Sequence, residues 1–291
     1  MSQSCLPTGI TFLYQSQIDS FSINYPNCTQ IEGNVSIGGY LNDITNLNGL
    51  STLVSIGGSC SIISTDYLVD LTGLGSLKSI GGSFTLQNNS ALASFTGIDS
   101  LVTIGGQFQV YEANRIKNFD GLEGLKIVKQ EVWIRNNDSI TSLSGLNNLI
   151  ADSLAGFWAD DNAMLSNCAI KSVCDFLNLP FHHADFYWNT TGCNSEYEVE
   201  NACAGLSVNN AKPINKFSIF PNPATTNFRV ETKELSSEIE LSILNLSGQV
   251  LLKIHKFDLR TSIDIENLNR GIYFVKIANQ SVIDNLKFIK N

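Results

Sequence analysis

A dipeptide of glycine followed by leucine or isoleucine returns every 24 residues along the first half of the chain. Its five copies are Gly49-Leu50, Gly73-Leu74, Gly97-Ile98, Gly121-Leu122 and Gly145-Leu146. A constant interval of this length is typical of a solenoid, in which each repeat buries its apolar face only against its neighbours. The repeat therefore predicts a wound chain with regular columns of inward and outward side chains.

Within one repeat, the apolar residues are first three apart and finally two apart. The clearest copy has them at Leu68, Leu71, Leu74, Leu77, Ile80, Phe84 and Leu86. Spacing by three suits a tight arc resembling a 3-10 turn, and spacing by two suits a half-buried strand. We expect these strands to pair in parallel, about 4.8 Å apart.

Two kinds of corner separate the arcs from the strands. Glycine pairs such as Gly81-Gly82 precede the strand, and we expect them to supply backbone angles that residues with a Cβ disfavour. Asparagine and aspartate pairs follow the strand, and we expect their side chains to stack and to bond one another and the backbone. These pairs are Asn88-Asn89, Asn136-Asn137 and Asp160-Asp161.

Composition changes along the chain and suggests its organisation. We predict an N-terminal cap (1–34), repeats (35–165), a disulfide-rich C-terminal cap (166–205), a linker (206–216) and a second domain (217–291). Residues 217–291 hold 9 Lys and Arg against 8 Asp and Glu, so +1 of the net −9 lies there and −10 in the rest. An acidic chain without basic clusters argues against nucleic acid and anionic membranes as partners.

Targeting signals and membrane spans are not evident in the sequence. No run of about 18 apolar residues is present, so no membrane span is predicted. The opening Met-Ser-Gln-Ser-Cys is not a signal peptide, which leaves either a cytosolic protein or a chain whose signal was removed.

Cysteine placement favours the second of these. Six of the seven cysteines lie in the two predicted caps, where disulfides would close the exposed ends of the core. Cys5 and Cys28 flank the N-terminal cap and are predicted to pair. The other four, at 168, 174, 193 and 203, lack the CxxC spacing of a metal site. Cys60 falls on an inward column and is predicted to be buried, free and inert.

The full repeat, as in residues 68–89, resembles the receptor L domain, the leucine-rich-repeat-like β-helix of the insulin and epidermal growth factor receptor ectodomains. It is more similar to bacterial surface proteins that carry this repeat, whose caps look like residues 18–33 and 191–203. The resemblance covers about residues 5–205. By analogy with the caps of leucine-rich repeat proteins, it implies the pairs Cys168–Cys193 and Cys174–Cys203.

The C-terminal segment resembles a different family. Four blocks, 217–230, 241–251, 268–277 and 286–291, are similar in order and position to the type A sorting domain of the type IX secretion system. The matching signal residues are Pro221, Asn222, Pro223, Gly248, Gln249, Gly271 and Tyr273. The resemblance implies recognition of residues 217–291 by the secretion machinery. It also implies a protein that is secreted or attached to the outer-membrane surface, from which the tail is usually removed.

These patterns together predict a mainly β protein. Its first part is expected to be a right-handed parallel β-helix or leucine-rich-repeat-like solenoid with turns of about 24 residues. Short alternating strands with turn signals at Pro221-Asn222-Pro223 and Arg270-Gly271 predict a small antiparallel β-sandwich at the end.

The outward residues of the strands form the predicted binding face, since stacked strand faces are the usual binding surfaces of solenoids. Large aromatic and polar residues escape the repetition there, and we take them as the ligand-binding candidates: Gln87, Gln109, Tyr111, Glu131, Trp133 and Arg135. An exposed aromatic can stack on a sugar or anchor a protein partner. The alternative is that Trp133 is simply covered by Phe157, one repeat on, or by the second domain.

The leading functional interpretation is a non-catalytic recognition or adhesion protein that binds a glycan or a surface protein. The alternative is a polysaccharide-degrading enzyme on a β-helix, which would need clustered carboxylates on one face. An ice-binding solenoid would need regular threonine ladders, which are missing. His182-His183-Ala184-Asp185 and the aspartates at 152, 160 and 161 are poor metal sites, because adjacent strand residues point oppositely and corner aspartates form turns. We predict no catalytic residue, metal or cofactor.

Overall fold

The computed structural model describes residues 3–206, 217–232, 239–245, 249–257, 262–278 and 283–291. The chain divides into two compact units, Met1–Ser207 and Val208–Asn291, which are described separately. The predicted linker beyond residue 206 lies outside the described residues, and so does Gly248 of the predicted sorting signal.

The first unit is built mainly of short strands. Its strands are β1 (Gln3–Cys5), β2 (Ile10–Phe12), β3 (Cys28–Ile31), β4 (Val35–Gly38), β5 (Ser55–Ile56), β6 (Cys60–Ile63), β7 (Ser79–Ile80), β8 (Phe84–Gln87), β9 (Thr103–Ile104), β10 (Phe108–Tyr111), β11 (Ile127–Val128), β12 (Glu131–Arg135), β13 (Gly156–Asp160) and β14 (Ala184–Tyr187). Its helices are α1 (Gln15–Asp19), α2 (Phe21–Asn24), α3 (Lys171–Leu177) and α4 (Glu196–Leu206), with 3-10 turns at Asn48–Leu50, Ser144–Leu146 and Ala151–Ser153.

From β1 to β12 successive strands join two parallel sheets alternately, and β13 and β14 both join the larger sheet. One sheet has the order β1-β3-β5-β7-β9-β11, and the other has the order β14-β13-β12-β10-β8-β6-β4-β2. In the second sheet Phe108 lies opposite Phe84 on one side and Val132 on the other. The predicted parallel pairing between consecutive repeats is therefore confirmed.

The core lies on the inward side of these strands. Along β8, Phe84 and Leu86 are buried while Thr85 and Gln87 are half-buried, which is the alternation that period-two spacing predicts. Inward phenylalanines pack against one another, with ring centroids 5.8 Å apart for Phe84 and Phe108. Each repeat thus depends on its neighbours for the burial of its apolar face.

The repeats depart from 24 residues towards both ends of the first unit: Val35 pairs with Cys60, 25 residues on, and Phe157 pairs with Ala184, 27 residues on. Val132 pairs with Phe157, and the equivalent asparagines 137 and 162 are 25 residues apart, not 24. The preceding segment Ala151–Ser153 is a 3-10 turn at the place where the six-stranded sheet has ended with β11. The additional residue shifts β13 by one position relative to a strict 24-residue count, and the next interval adds three more before β14.

A column of buried asparagines follows the strands of the larger sheet. The Oδ1 of Asn137 accepts a bond from the backbone N–H of Ala113, and its Nδ2 donates to the carbonyl of Val110, both in the preceding repeat. Asn89, Asn162 and Asn189 make equivalent bonds. The predicted bonding of stacked amides is confirmed, but the third predicted pair, Asp160-Asp161, is wrong: the longer repeat places Asp161-Asn162 at that corner.

The glycine corners work differently from the prediction. The backbone φ is positive at Gly73, Gly97 and Gly121 of the repeated dipeptide, and not at the paired glycines such as Gly81-Gly82. A Cβ added to Gly81 would collide with the carbonyl oxygen of Gly57 in the preceding repeat. The paired glycines are therefore required by the close approach of stacked backbones and not by their backbone angles.

Three disulfides close the two ends of the first unit. They join Cys5 to Cys28, Cys168 to Cys193 and Cys174 to Cys203, which are the predicted pairs. Cys60 is a free, fully buried thiol, and desolvation by burial raises its pKa to about 12. At neutral pH it stays protonated and unreactive, as predicted.

Among its described residues, the strands of the second unit pair in antiparallel fashion, and one isolated parallel bridge joins Ala224 to Lys290. These strands are β15 (Phe217–Phe220), β16 (Asn227–Thr232), β17 (Ile239–Leu244), β18 (Val250–Phe257), β19 (Ile263–Asp264), β20 (Gly271–Ala278) and β21 (Ile283–Lys290). They form a sheet of order β15-β16-β19 and a sheet of order β18-β17-β20-β21. Residues of both sheets share one core, in which the rings of Phe228 and Phe288 lie 4.9 Å apart.

Candidate functional site

The outward face of the eight-stranded sheet carries three columns of side chains. All six residues predicted to bind a ligand lie on it and are half-buried. The first column contains Gln107 and Glu131. The strand register sets Thr85, Gln109, Trp133, Trp158 and Asp185 side by side in the second column, and Gln87, Tyr111, Arg135, Asp160 and Tyr187 in the third.

Two tryptophans stack in the second column. The rings of Trp133 and Trp158 are 4.5 Å apart and within 6° of parallel, since the register of β12 and β13 places them directly opposite. The ring of Trp158 lies over Gly156, where any Cβ would collide with the indole. The alternative that Phe157 covers Trp133 is wrong, because Phe157 points inward, opposite Val132, and is fully buried.

An ion pair continues this cluster into the third column. The Nε of Arg135 donates to Oδ2 of Asp160 at 2.6 Å, and its Nη2 donates to the hydroxyl of Tyr187 at 3.3 Å. The guanidinium carbon also lies 5.5 Å from the ring centroid of Trp133. The Arg135 side chain is 42% exposed, whereas that of Asp160 is 1% exposed. The hydrogen bond to Asp160 is the main cause of a raised Arg135 pKa, so the side chain remains a cation.

A chain of hydrogen bonds runs from the second column into the first. Thr85 donates to Gln109 at 2.9 Å, Gln109 donates to Gln107 at 2.7 Å, and Gln107 donates to Glu131 at 2.8 Å. The predicted residues Gln109 and Glu131 are therefore held in place by neighbours, which gives this part of the face a defined shape.

Two buried polar atoms of the aromatic cluster lack a partner. Among the residues that the structure describes, Nε1 of Trp133 and Oδ1 of Asp160 are the buried side-chain atoms with no hydrogen bond. Such atoms are costly, and each calls for a specific explanation in a native protein. Both lie in the same small part of the binding face, which marks it as unlike the rest of the sheet.

Sequence reasoning missed Trp158, Asp160 and Tyr187. A strict 24-residue count places Asp152 and Gly156 at the inward positions held by Val128 and Val132 one repeat earlier. The absence of an apolar side chain at both inward positions indicates that this repeat has one additional residue. A shift by one residue brings Phe157 inward and Trp158 outward, because the side chains of a strand alternate between its faces.

Two of the three histidines, His182 and His183, lie in the C-terminal cap. Nδ1 of His182 faces the carbonyl oxygen of Leu179 at 2.8 Å and so carries a proton, and Nε2 lies 2.8 Å from Oε1 of Glu196. His182, Glu196 and Glu200 form the one group of described residues in which three potential metal ligands lie within 4.8 Å of one another. The contact between His182 and Glu196 has the geometry of a hydrogen-bonded ion pair. The expectation of no metal stays a prediction.

The His182–Glu196 pair predicts a pH effect on stability. Burial lowers the His182 pKa, but the bonds to Glu196 and Leu179 and the charges of Glu196 and Glu200 outweigh it, so the pKa is raised. The pair therefore stabilises the fold fully below the unfolded histidine pKa of about 6.5, and this contribution is lost as pH rises through the folded pKa. The Tm difference between the wild type and His182→Gln should be larger at pH 6 than at pH 9, and Glu196→Gln should behave like His182→Gln. Equal differences at both pH values would contradict this account.

The residues of the predicted sorting signal shape the second unit. Asn222 binds β21 from both sides of its amide, with Nδ2 donating to the carbonyl of Lys287 and Oδ1 accepting from the N–H of Ile289, each at 3.0 Å. The Tyr273 hydroxyl donates to the carbonyl of Asn269 at 2.8 Å, and its ring stacks on Phe288. Gln249, which directly precedes β18, and Asn245 exchange hydrogen bonds. Asn222 is flanked by Pro221 and Pro223, and β20 begins at Gly271.

Comparison with known proteins identifies the C-terminal segment. No curated protein matches the chain significantly. Within the described residues, no helix is long and apolar enough to cross a membrane. A family model described as a secretion system C-terminal sorting domain matches residues 218–291. This segment is therefore the sorting domain of a type IX secretion substrate, and it implies export of the protein to the cell surface or the medium.

Proposed function

We propose that the first unit is a non-catalytic recognition domain that binds a glycan on the outward face of its eight-stranded sheet. The observation that carries the proposal is the stacked Trp133–Trp158 pair, held beside Arg135 on a face that is otherwise polar. Aromatic side chains on a surface are favoured where a partner covers them. The sorting domain would deliver this face outside the cell, where glycans and surface proteins are available as ligands.

We further propose that the first unit is a right-handed solenoid of the receptor L or leucine-rich-repeat-like kind. Two parallel sheets that receive strands alternately, with equivalent residues 24 apart, support this architecture. The shared core of the two sheets in the second unit supports the small β-sandwich in the same way.

The arrangement of the indoles favours a sugar over a flat protein partner. Each indole covers one face of the other, so a ligand can stack on only one face of either ring. On their remaining sides, the register places Gln109 beside Trp133 and Asp185 beside Trp158. A ring that packs on Trp158 would therefore meet apolar surface and hydrogen-bonding groups together, which suits a pyranose with its apolar faces and polar rim.

The carboxylates of this face support a binding role more than a catalytic one. Glu131 accepts from Gln107, and Asp160 is buried under Arg135. A glycosidase needs two carboxylates placed on either side of a scissile bond; Glu131 and Asp160 are engaged by neighbours, which leaves Asp185 as the remaining carboxylate of the three columns. Release of reducing ends or unsaturated sugars from a polysaccharide panel would support the enzyme instead.

Replacing Trp158 by alanine tests the proposed site. We expect the affinity for any glycan selected on an array to fall about 30-fold or more, the effect of losing a binding hot spot of about 2 kcal/mol. Affinity would be measured by titration calorimetry on the full chain.

Tyr67→Ala provides the matched control, because Tyr67 is also a surface aromatic, 61% exposed, and is not part of the outward strand columns. This variant should bind like the wild type. Equal affinities of Trp158→Ala and Tyr67→Ala for the selected glycan would exclude the aromatic pair as the site.

A further inference from the structure

Arg135 is anchored by only part of its guanidinium. Its Nε is committed to Asp160 and one hydrogen of Nη2 to Tyr187, while Nη1 has no partner among the residues that the structure describes. Arginine–carboxylate pairs are frequently bidentate, with two parallel N–H···O bonds. Here the anchoring through Nε leaves the terminal edge of the group available, on a side chain that is 42% exposed.

The groups around this edge are hydrogen-bond donors. The Tyr187 hydroxyl accepts from Arg135, so its own proton is free to be donated to another acceptor. Tyr111 is the neighbour of Arg135 on the other side in the strand register and carries a second hydroxyl. The carboxylate that balances the arginine lies beneath it, with Asp160 only 1% exposed.

This separation of donors and acceptor points to the charge of the ligand. A ligand that approaches Arg135 from solvent meets its terminal donors before the buried carboxylate of Asp160. The exposed Asp185 of the neighbouring column lies beside Trp158 and not beside Arg135. Planar guanidinium edges match carboxylates in geometry and bind them more strongly than they bind neutral hydroxyls. The aromatic pair beside them offers the surface for the ring that carries such a group.

We infer that the ligand is an acidic glycan, whose sugar-ring carboxylate binds the terminal edge of Arg135 while the ring packs against the Trp133–Trp158 pair. The inference rests on the proposed function, and adds the chemical class of the ligand to it. It also accounts for the burial of Asp160, which fixes the position of the guanidinium through Nε and does not compete with the ligand carboxylate for its terminal edge.

The net charge of the chain predicts how the binding of an acidic glycan should depend on salt. A net charge of −9 repels an anionic polymer at long range, and salt screens that repulsion over a Debye length of about 10 Å at 0.1 M. Capture by a basic patch weakens steeply with salt. Binding at Arg135 should instead hold or strengthen between low and physiological ionic strength.

The test compares acidic polysaccharides with their carboxyl-reduced forms, on the full chain. Polygalacturonate, alginate and hyaluronan are each titrated before and after chemical reduction of the carboxylates to alcohols. We expect at least one native polymer to bind about 10-fold or more tightly than its reduced form, which is the effect of losing a charge-assisted bond. Arg135→Lys, which keeps the positive charge over Asp160 but loses the planar edge, should remove most of that preference.

The outcomes separate the inference from the function on which it rests. Equal binding of native and reduced polymers, or binding of neutral glycans only, would overturn the acidic ligand and leave glycan recognition standing. Binding of no glycan at all would overturn both. Since the polymer comparison uses the wild-type chain, it decides the question even if Arg135→Lys lowers stability, which thermal unfolding followed by tryptophan fluorescence would reveal.

Discussion

Replacing Phe108 by alanine is expected to lower the free energy of unfolding of the first unit by about 3–5 kcal/mol, the usual cost of removing a buried phenylalanine. Its side chain is fully buried, and its ring lies within 5.8 Å of Phe84, 6.1 Å of Phe95 and 6.3 Å of Phe119. These neighbours come from three repeats, and each is held by its own backbone register. The core therefore has little freedom to collapse into the space that the ring leaves.

Urea unfolding followed by tryptophan fluorescence measures this effect on the first unit alone. All three tryptophans, at 133, 158 and 188, lie in that unit. Tyr67→Ala removes an aromatic ring of similar size from the surface and should change the unfolding free energy by about 0.5 kcal/mol or less. A loss below about 1 kcal/mol for Phe108→Ala would mean that the repeats repack independently of one another.

Asn137→Ala is expected to cost about 3 kcal/mol or more, although the residue lies in a corner. Its amide accepts from the N–H of Ala113 and donates to the carbonyls of Val110 and Arg135, at 2.9–3.0 Å. All of these groups are enclosed, and each buried backbone group left without a partner costs about 1–3 kcal/mol. Alanine can supply none of the bonds, so two repeats lose their link at this corner.

The neighbouring residue provides the control for this effect. Asn136 is exposed and has a φ of 56°, a backbone conformation that glycine adopts freely. Asn136→Gly should therefore change the unfolding free energy by no more than about 0.5 kcal/mol. Similar losses for both variants would show that the amide bonds of Asn137 contribute little, and that the corner is sensitive only to its backbone.

Repetition made much of the first unit predictable from the sequence. A residue such as Phe84 or Val110 occupies the same column as its equivalents 24 residues away, so its burial could be inferred without an alignment. Disulfides were predictable because cysteines gather at the two ends of the repeats, and the two pairings in the C-terminal cap followed from the resemblance to the caps of leucine-rich repeat proteins. The sorting domain was accessible because its blocks of sequence are specific in order and spacing.

The candidate site was only partly predictable. Trp133, Tyr111 and Arg135 were found because they interrupt regular columns. Their partners Trp158 and Asp160 were not, because strand pairing depends on which residues bury their apolar side chains and not on a count along the chain. One additional residue in a loop leaves the core intact but exchanges the inward and outward positions of β13.

The sequence by itself determined the period and core columns of the central repeats and the closure of the ends, since these follow from local spacing, and it indicated the export signal through a resemblance to known sorting domains. Only the tertiary structure decided which side chains meet across strands. The stacking of Trp133 on Trp158, the burial of Asp160 beneath Arg135 and the need for glycine at Gly81 all arise from contacts between repeats. Such contacts depend on the register of one repeat on the next, which the packing of the whole core selects.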